Sequence, residues 1–187
     1  MMFASLNNPY RASLPTEARA LVRLLGETDQ QSLNDTSFDL ICQRAEIRQA
    51  LAELSVQQGE RLYLLSEAAV LLETALLAVE DQAWQEQLST QLADVYLQFY
   101  QYTHEQKYLT VVGQILKPLS HSNHPCIQLN LVRLYAASQQ PALTQYRLRH
   151  LAQHHAPIDW DQLADIPELR QMQHEAWFIQ LKQQALH

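Results

Sequence analysis

Residues 92–96 read Leu92-Ala93-Asp94-Val95-Tyr96, and residues 131–136 read Leu131-Val132-Arg133-Leu134-Tyr135-Ala136; the second stretch begins 39 residues after the first. In each, a leucine and a tyrosine stand four positions apart, which puts them on one face of a helix. Ala93 is small enough for a neighbouring helix to approach closely. Tyr96 and Tyr135, one turn further on, are large enough to fill the space between helices.

The surrounding residues extend this pattern. Asp81 can cap a helix over about Gln82 to Tyr102, whose apolar positions Trp84, Leu88, Leu92, Val95, Tyr96 and Phe99 keep the helical period. Thr103 and Gln106 have capping-box spacing and predict a helix ending near Pro118, with Tyr108, Val111, Val112, Ile115 and Leu116 inward. His121 to His124 reads as a polar loop. Pro125 opens a sixth helix with Ile127, Leu131, Leu134 and Tyr135, and Pro141 opens a seventh with Leu143, Tyr146, Leu148 and Leu151, stopped by Pro157. Two helices thus occupy roughly 83–120 and two more 124–156, units of about 34–40 residues, the period of a helix-turn-helix repeat.

Upstream, Thr16 to Leu25 predicts a short helix ended by Gly26, with the polar stretch Glu27 to Leu33 as a loop. A second helix is expected from Asn34 or Asp35 to about Gln57, broken by Gly59. A third, about Glu60 to Glu80, is apolar on nearly all sides, as in a helix packed on several neighbours. Downstream, Asp159 with Gln162 and Asp165 with Glu168 are capping boxes that open two short helices. A last helix, about His174 to Leu186, carries Trp177, Phe178 and Leu181. The expected division is an N-terminal segment, 1–33, and a helical repeat domain, 34–187, with pairs at about 34–80, 83–120 and 124–156 and a cap at 159–187.

The two quoted stretches resemble the Leu-small-x-x-Tyr core of the first helix in the tetratricopeptide repeat family. The helices at Tyr108–Leu116 and Ala142–Ala152 stand where that family has its second helices, and the C-terminal run resembles the helical tail that follows the last repeat. The likeness covers 83–187 and is fainter over 34–80. Val132 stands where the family prefers Gly or Ala, and the turn at Tyr102–Glu105 is longer than the family's. The resemblance implies an all-α, antiparallel helix-pair array (a tetratricopeptide-like α-solenoid) with C-terminal capping helices. It also implies a concave groove lined by the first helices.

Composition agrees with an all-helical chain. The 187 residues include 3 glycines and 7 prolines, too few turn formers for a β-sandwich or barrel. A formal net charge of −7 disfavours phosphate backbones and so nucleic acid. Met1 to Arg11 lacks the basic-then-apolar pattern of a signal peptide, and the most apolar window, Ala68 to Val79, is too short to span a bilayer. Cys42 and Cys126 form no metal spacing and read as buried, reduced thiols of a cytoplasmic protein.

Candidate chemistry is sparse. His150 and His154 have the i, i+4 spacing of a metal pair, with His155 adjacent, but no Cys or carboxylate completes a set; helix C-terminal histidines are the plainer reading. His121, His124 and Cys126 lack a third orienting group, so capping and packing suffice. Glu67 and Glu73 lie in the most apolar helix and are expected at its solvent edge or paired with Arg44, Arg48 or Arg61. No catalytic residue, metal ligand or cofactor is assigned.

The binding groove is placed on Asp94, Gln98, Asn130, Arg133 and Ala137, on the side of the first helices away from the packed leucines and tyrosines. Arg133 and Asn130 there could clamp a peptide backbone or carboxylate. Arg133→Glu is expected to spare the fold. Tyr100 and Tyr102 form an aromatic alternative. The expected function is an adaptor, not an enzyme, that binds a peptide or helix of another protein, with a homodimer as a further assembly. The competing readings are a dedicated chaperone for secreted proteins and a helical enzyme domain with a His/Glu site.

Overall fold

The computed structural model of the chain describes residues 10–154 and 160–185. Among these residues every regular element is helical. After a 3-10 turn at Arg11–Ser13 come α1 (Ala18–Gln31), α2 (Phe38–Leu54), α3 (Gln58–Ala78), α4 (Gln82–Thr103), α5 (Gln106–Leu116), α6 (Pro125–Ala137) and α7 (Pro141–His154). The chain continues with α8 (Trp160–Asp165), a 3-10 helix (Pro167–Met172) and α9 (Ala176–Ala185). Short connections turn the chain back on itself, so that α2 packs on α3, α4 on α5 and α6 on α7.

The core is layered along this order. Leu88, Leu92, Val95 and Phe99 of α4 join α2 and α3 in one cluster. Ala93 and Leu97, on another side of α4, join α5 and α6 in the next. The sixth helix repeats the arrangement, with Ile127, Leu131 and Leu134 toward α5 and Leu129, Val132 and Ala136 toward α7 and the C-terminal elements. The first helices of the two pairs are therefore buried on both flanks, and the slender Ala93 and Val132 are fully enclosed. Phe178 and Leu181 of α9, with Trp160, Leu163 and Leu169, cover the flank that α6 and α7 would otherwise leave open. The Trp160 and Phe178 rings meet edge to face at 5.8 Å.

Several helix ends differ from expectation. Gly26 does not stop α1, which runs on to Gln31 through the stretch expected to be a loop. The Thr28 hydroxyl donates to the Leu24 carbonyl, Arg23 pairs with Glu27 one turn away, and Asp29 accepts from Arg44 and Arg48 of α2. Local bonds within one turn and the long-range pairing of Asp29 with α2 thus hold this polar stretch helical. The second helix starts at Phe38, where Ser37 Oγ accepts from the Leu40 amide, and Gly59 lies inside the first turn of α3.

Asp81 caps α4 as expected, accepting from the Trp84 amide at 3.0 Å. Thr103 does not cap α5: it is the last residue of α4, and its hydroxyl turns back to the Phe99 carbonyl. Asp165 likewise ends α8, and its expected capping box with Glu168 does not form, because Glu168 turns inward. Pro157, Asp159, His155 and Leu186 lie outside the described residues.

Candidate functional site

The structure brings three of the five expected groove residues together, inside the fold. Arg133 Nη1 donates to Asp94 Oδ1 at 2.5 Å and to Asn130 Oδ1 at 3.3 Å, and Nη2 donates to Glu168 Oε1 at 3.3 Å. The side chains of Arg133, Asp94 and Glu168 are 9%, 13% and 2% exposed. Asn130 is fully buried and donates to the Thr90 carbonyl of α4. Gln101 adds a bond to the same Glu168 oxygen at 2.9 Å. Arg133 and Asn130 therefore do not line an open groove, because the C-terminal 3-10 helix lies against α6 and sends a carboxylate onto the guanidinium.

Gln98 points elsewhere, donating to Glu53 of α2 at 3.0 Å. Ala137 is half-buried, and its carbonyl accepts from the Tyr100 hydroxyl at 3.5 Å. Both residues border a cavity of about 230 Å³ with Gln101, His104 and Glu168. Tyr102 is also half-buried, with the Arg61 guanidinium 4.9 Å over its ring.

Charge in this interior is tightly held. Burial raises the Asp94 carboxyl above its ordinary range, against the pull of Arg133. Burial also works against the charge on Arg133, but Glu168 and Asp94 outweigh it and hold the guanidinium charged.

A further buried carboxylate, Glu46, lies outside this cluster and is not among the expected site residues. Glu46 of α2 accepts from Arg11 at 3.0 Å and from Gln91 at 3.4 Å, while Gln91 also donates to the Cys42 carbonyl. Burial pushes the Glu46 carboxyl up to about 7 despite Arg11. The spacing of Cys42, Glu46, Gln49 and Glu53, one face of α2, carried the signal.

The His and Cys candidates are also placed. The rings of His150 and His154 lie 4.5 Å apart on α7, and among the described residues no group of three or more His, Cys, Asp or Glu is arranged to hold a metal. Cys42 and Cys126 are buried and form no disulfide, and burial pushes both thiols up to about 12. Glu67 and Glu73 emerge at the solvent edge of α3. Arg48 lies 4.0 Å from Glu67, and the Tyr96 hydroxyl donates to Glu73.

The largest departure is on α3. Its buried residues Leu65, Ala68, Ala69, Leu72 and Ala75 pack toward α2 and α4. The opposite face stays open: Tyr63, Val70 and Leu77 are 64%, 60% and 91% exposed. This helix is apolar on nearly all sides yet covered on one side only by the described residues. Beside the open face, a groove of about 510 Å³ runs between α3 and the start of α2, lined by Phe38, Ile41, Val70, Leu71 and Ala78, with Asp35 at its edge. Isolated exposed apolar residues are ordinary; here three of them align on one helix face beside an apolar groove.

Among the described residues no helix is long and apolar enough to cross a membrane. Comparison with known families, curated proteins and solved structures finds no match to this chain.

Proposed function

We propose that this protein is a tetratricopeptide-like helix-pair array that acts as an adaptor, holding a helix or peptide of a partner protein along α3. The observation that carries this reading is the open stripe of Tyr63, Val70 and Leu77 beside the apolar groove. A helix laid on such a stripe buries apolar side chains on both partners, the main source of association energy. The repeat reading is supported by Asp94 and Arg133, which hold the same register in α4 and α6 and touch. A non-enzymatic role is supported by the buried carboxylates Glu46, Asp94 and Glu168, each engaged by arginine and amide groups of the fold itself.

The test is a comparison of wild type with Val70→Asp and Leu77→Asp in co-purification from the native host. These substitutions sit on exposed positions and should leave the melting temperature within a few degrees. A partner retained by wild type and lost by both variants is expected. Identical retention by all three proteins would remove α3 as the binding face.

A further inference from the structure

The charges around the open face of α3 select its occupant. We propose that this face takes a basic amphipathic helix from another protein, and not a second copy of this chain; this rests on the reading of α3 as the binding face. Tyr63, Val70 and Leu77 recur every seven residues, about two helical turns, which is the seam spacing of helix-on-helix packing. On a helical projection Glu60 and Glu67 fall on one side of that seam, Glu73 falls on the other, and Glu80 follows the helix end. All four are exposed. The contacts they make are the Ser55 hydroxyl on Glu60, Arg48 at 4.0 Å from Glu67, and the Tyr96 hydroxyl on Glu73.

Basic groups near the face are already engaged. Arg61 is turned away, donating to the Ser55 carbonyl at 2.6 Å and lying over Tyr102. Arg44 borders the groove but is bound to Asp29 at 2.7 Å, while Asp35 adds a carboxylate at the same rim.

Self-pairing would bring acids onto acids. Two copies packed antiparallel about Val70 place Tyr63 against Leu77 and bring each flank onto its own counterpart, Glu67 toward Glu67 and Glu73 toward Glu73 of the other copy. A parallel arrangement sets the Glu60 and Glu67 flank beside the Glu73 flank of the other copy. Like charges flanking a helix seam oppose pairing, whereas lysines or arginines flanking an apolar stripe turn the same four carboxylates into attractive partners.

Two synthetic three-heptad helical peptides with one shared Leu/Ile seam test this, one flanked by lysines and the other by glutamates, each titrated into the full chain by fluorescence anisotropy. The lysine peptide should bind more tightly by roughly ten-fold or more, the scale of several surface ion pairs acting together, with the gap narrowing as salt is added. The gap should also narrow in the Glu67→Gln/Glu73→Gln variant, while Val70→Asp should abolish binding of both peptides. Equal affinity for the two peptides would overturn the basic partner and leave the docking face standing. Binding of neither would remove the face as well. A concentration-dependent dimer in sedimentation, dissolved by Val70→Asp, would give the face to a second copy and overturn the proposal.

Discussion

Arg133 of α6 and Asp94 of α4 meet at 2.5 Å in the interior, and Glu168 of the C-terminal 3-10 helix closes on the same guanidinium from its other end. One cation thus fastens two successive helix pairs and the cap together. Enclosed charges of this kind contribute little net stability when complete, but the loss of one partner leaves the others uncompensated.

Arg133→Ala should therefore lower stability by about 3–5 kcal/mol, measured by urea unfolding, because Asp94 and Glu168 would remain buried without their cation. Arg133→Glu should be worse, contrary to the surface role expected from sequence. The triple replacement Asp94→Asn/Arg133→Met/Glu168→Gln should recover much of the loss. An Arg133→Ala protein as stable as wild type would contradict the buried linkage.

Stability should fall as pH rises from about 4.5 to about 7. Glu46 titrates near 7 in the folded protein and near 4.5 when exposed, so the folded state holds the proton more tightly over that window. Its stabilising effect is complete below the lower value and lost as pH passes through the upper one, amounting to roughly 3 kcal/mol. Asp94, also raised, acts in the same sense. Glu46→Gln should flatten this slope in denaturation curves recorded across the window; an unchanged slope would place the titrating group elsewhere.

The C-terminal cap is open to a direct measurement. Phe178→Ala should cost about 3–5 kcal/mol, since the ring is buried between Trp160 and the α6–α7 flank. Removing residues 174–187 should expose that flank and give a lower melting temperature or poor solubility. A truncated protein that stays monomeric and equally stable would refute the capping role.

Both thiols should be inert in the folded protein. Burial holds Cys42 and Cys126 near 12, so neither supplies appreciable thiolate at neutral pH. Iodoacetamide should label them slowly under native conditions and rapidly in denaturant. Fast labelling of either in the native protein would show that its site opens.

How much was legible in the sequence depends on the range of the forces involved. Pro125 and Pro141 opened their helices and Asp81 capped its own, because those effects act within one turn of the chain. Thr103 and Glu168 had equally good capping spacing and did not cap. Thr103 was drawn into the end of α4, and Glu168 toward Arg133, 35 residues away. The extension of α1 past Gly26 had the same origin in the bonds from Asp29 to α2.

The sequence by itself determined an all-helical chain, the order and spacing of its helices, and the apolar residues that α9 buries, since periodicity and turn chemistry are local. Only the tertiary structure decided which polar residues are inside and which apolar ones are outside. Asn130 and Arg133 look like surface residues of an amphipathic helix, and became interior because α4 supplied the Thr90 carbonyl and Asp94 and the C-terminal segment supplied Glu168. Tyr63, Val70 and Leu77 look like core, and remained in solvent because α2 and α4 cover one side of α3 and no other described element packs on the opposite side. Hydrophobic pattern tells which surfaces favour burial; whether a surface is buried depends on how many neighbours the fold supplies.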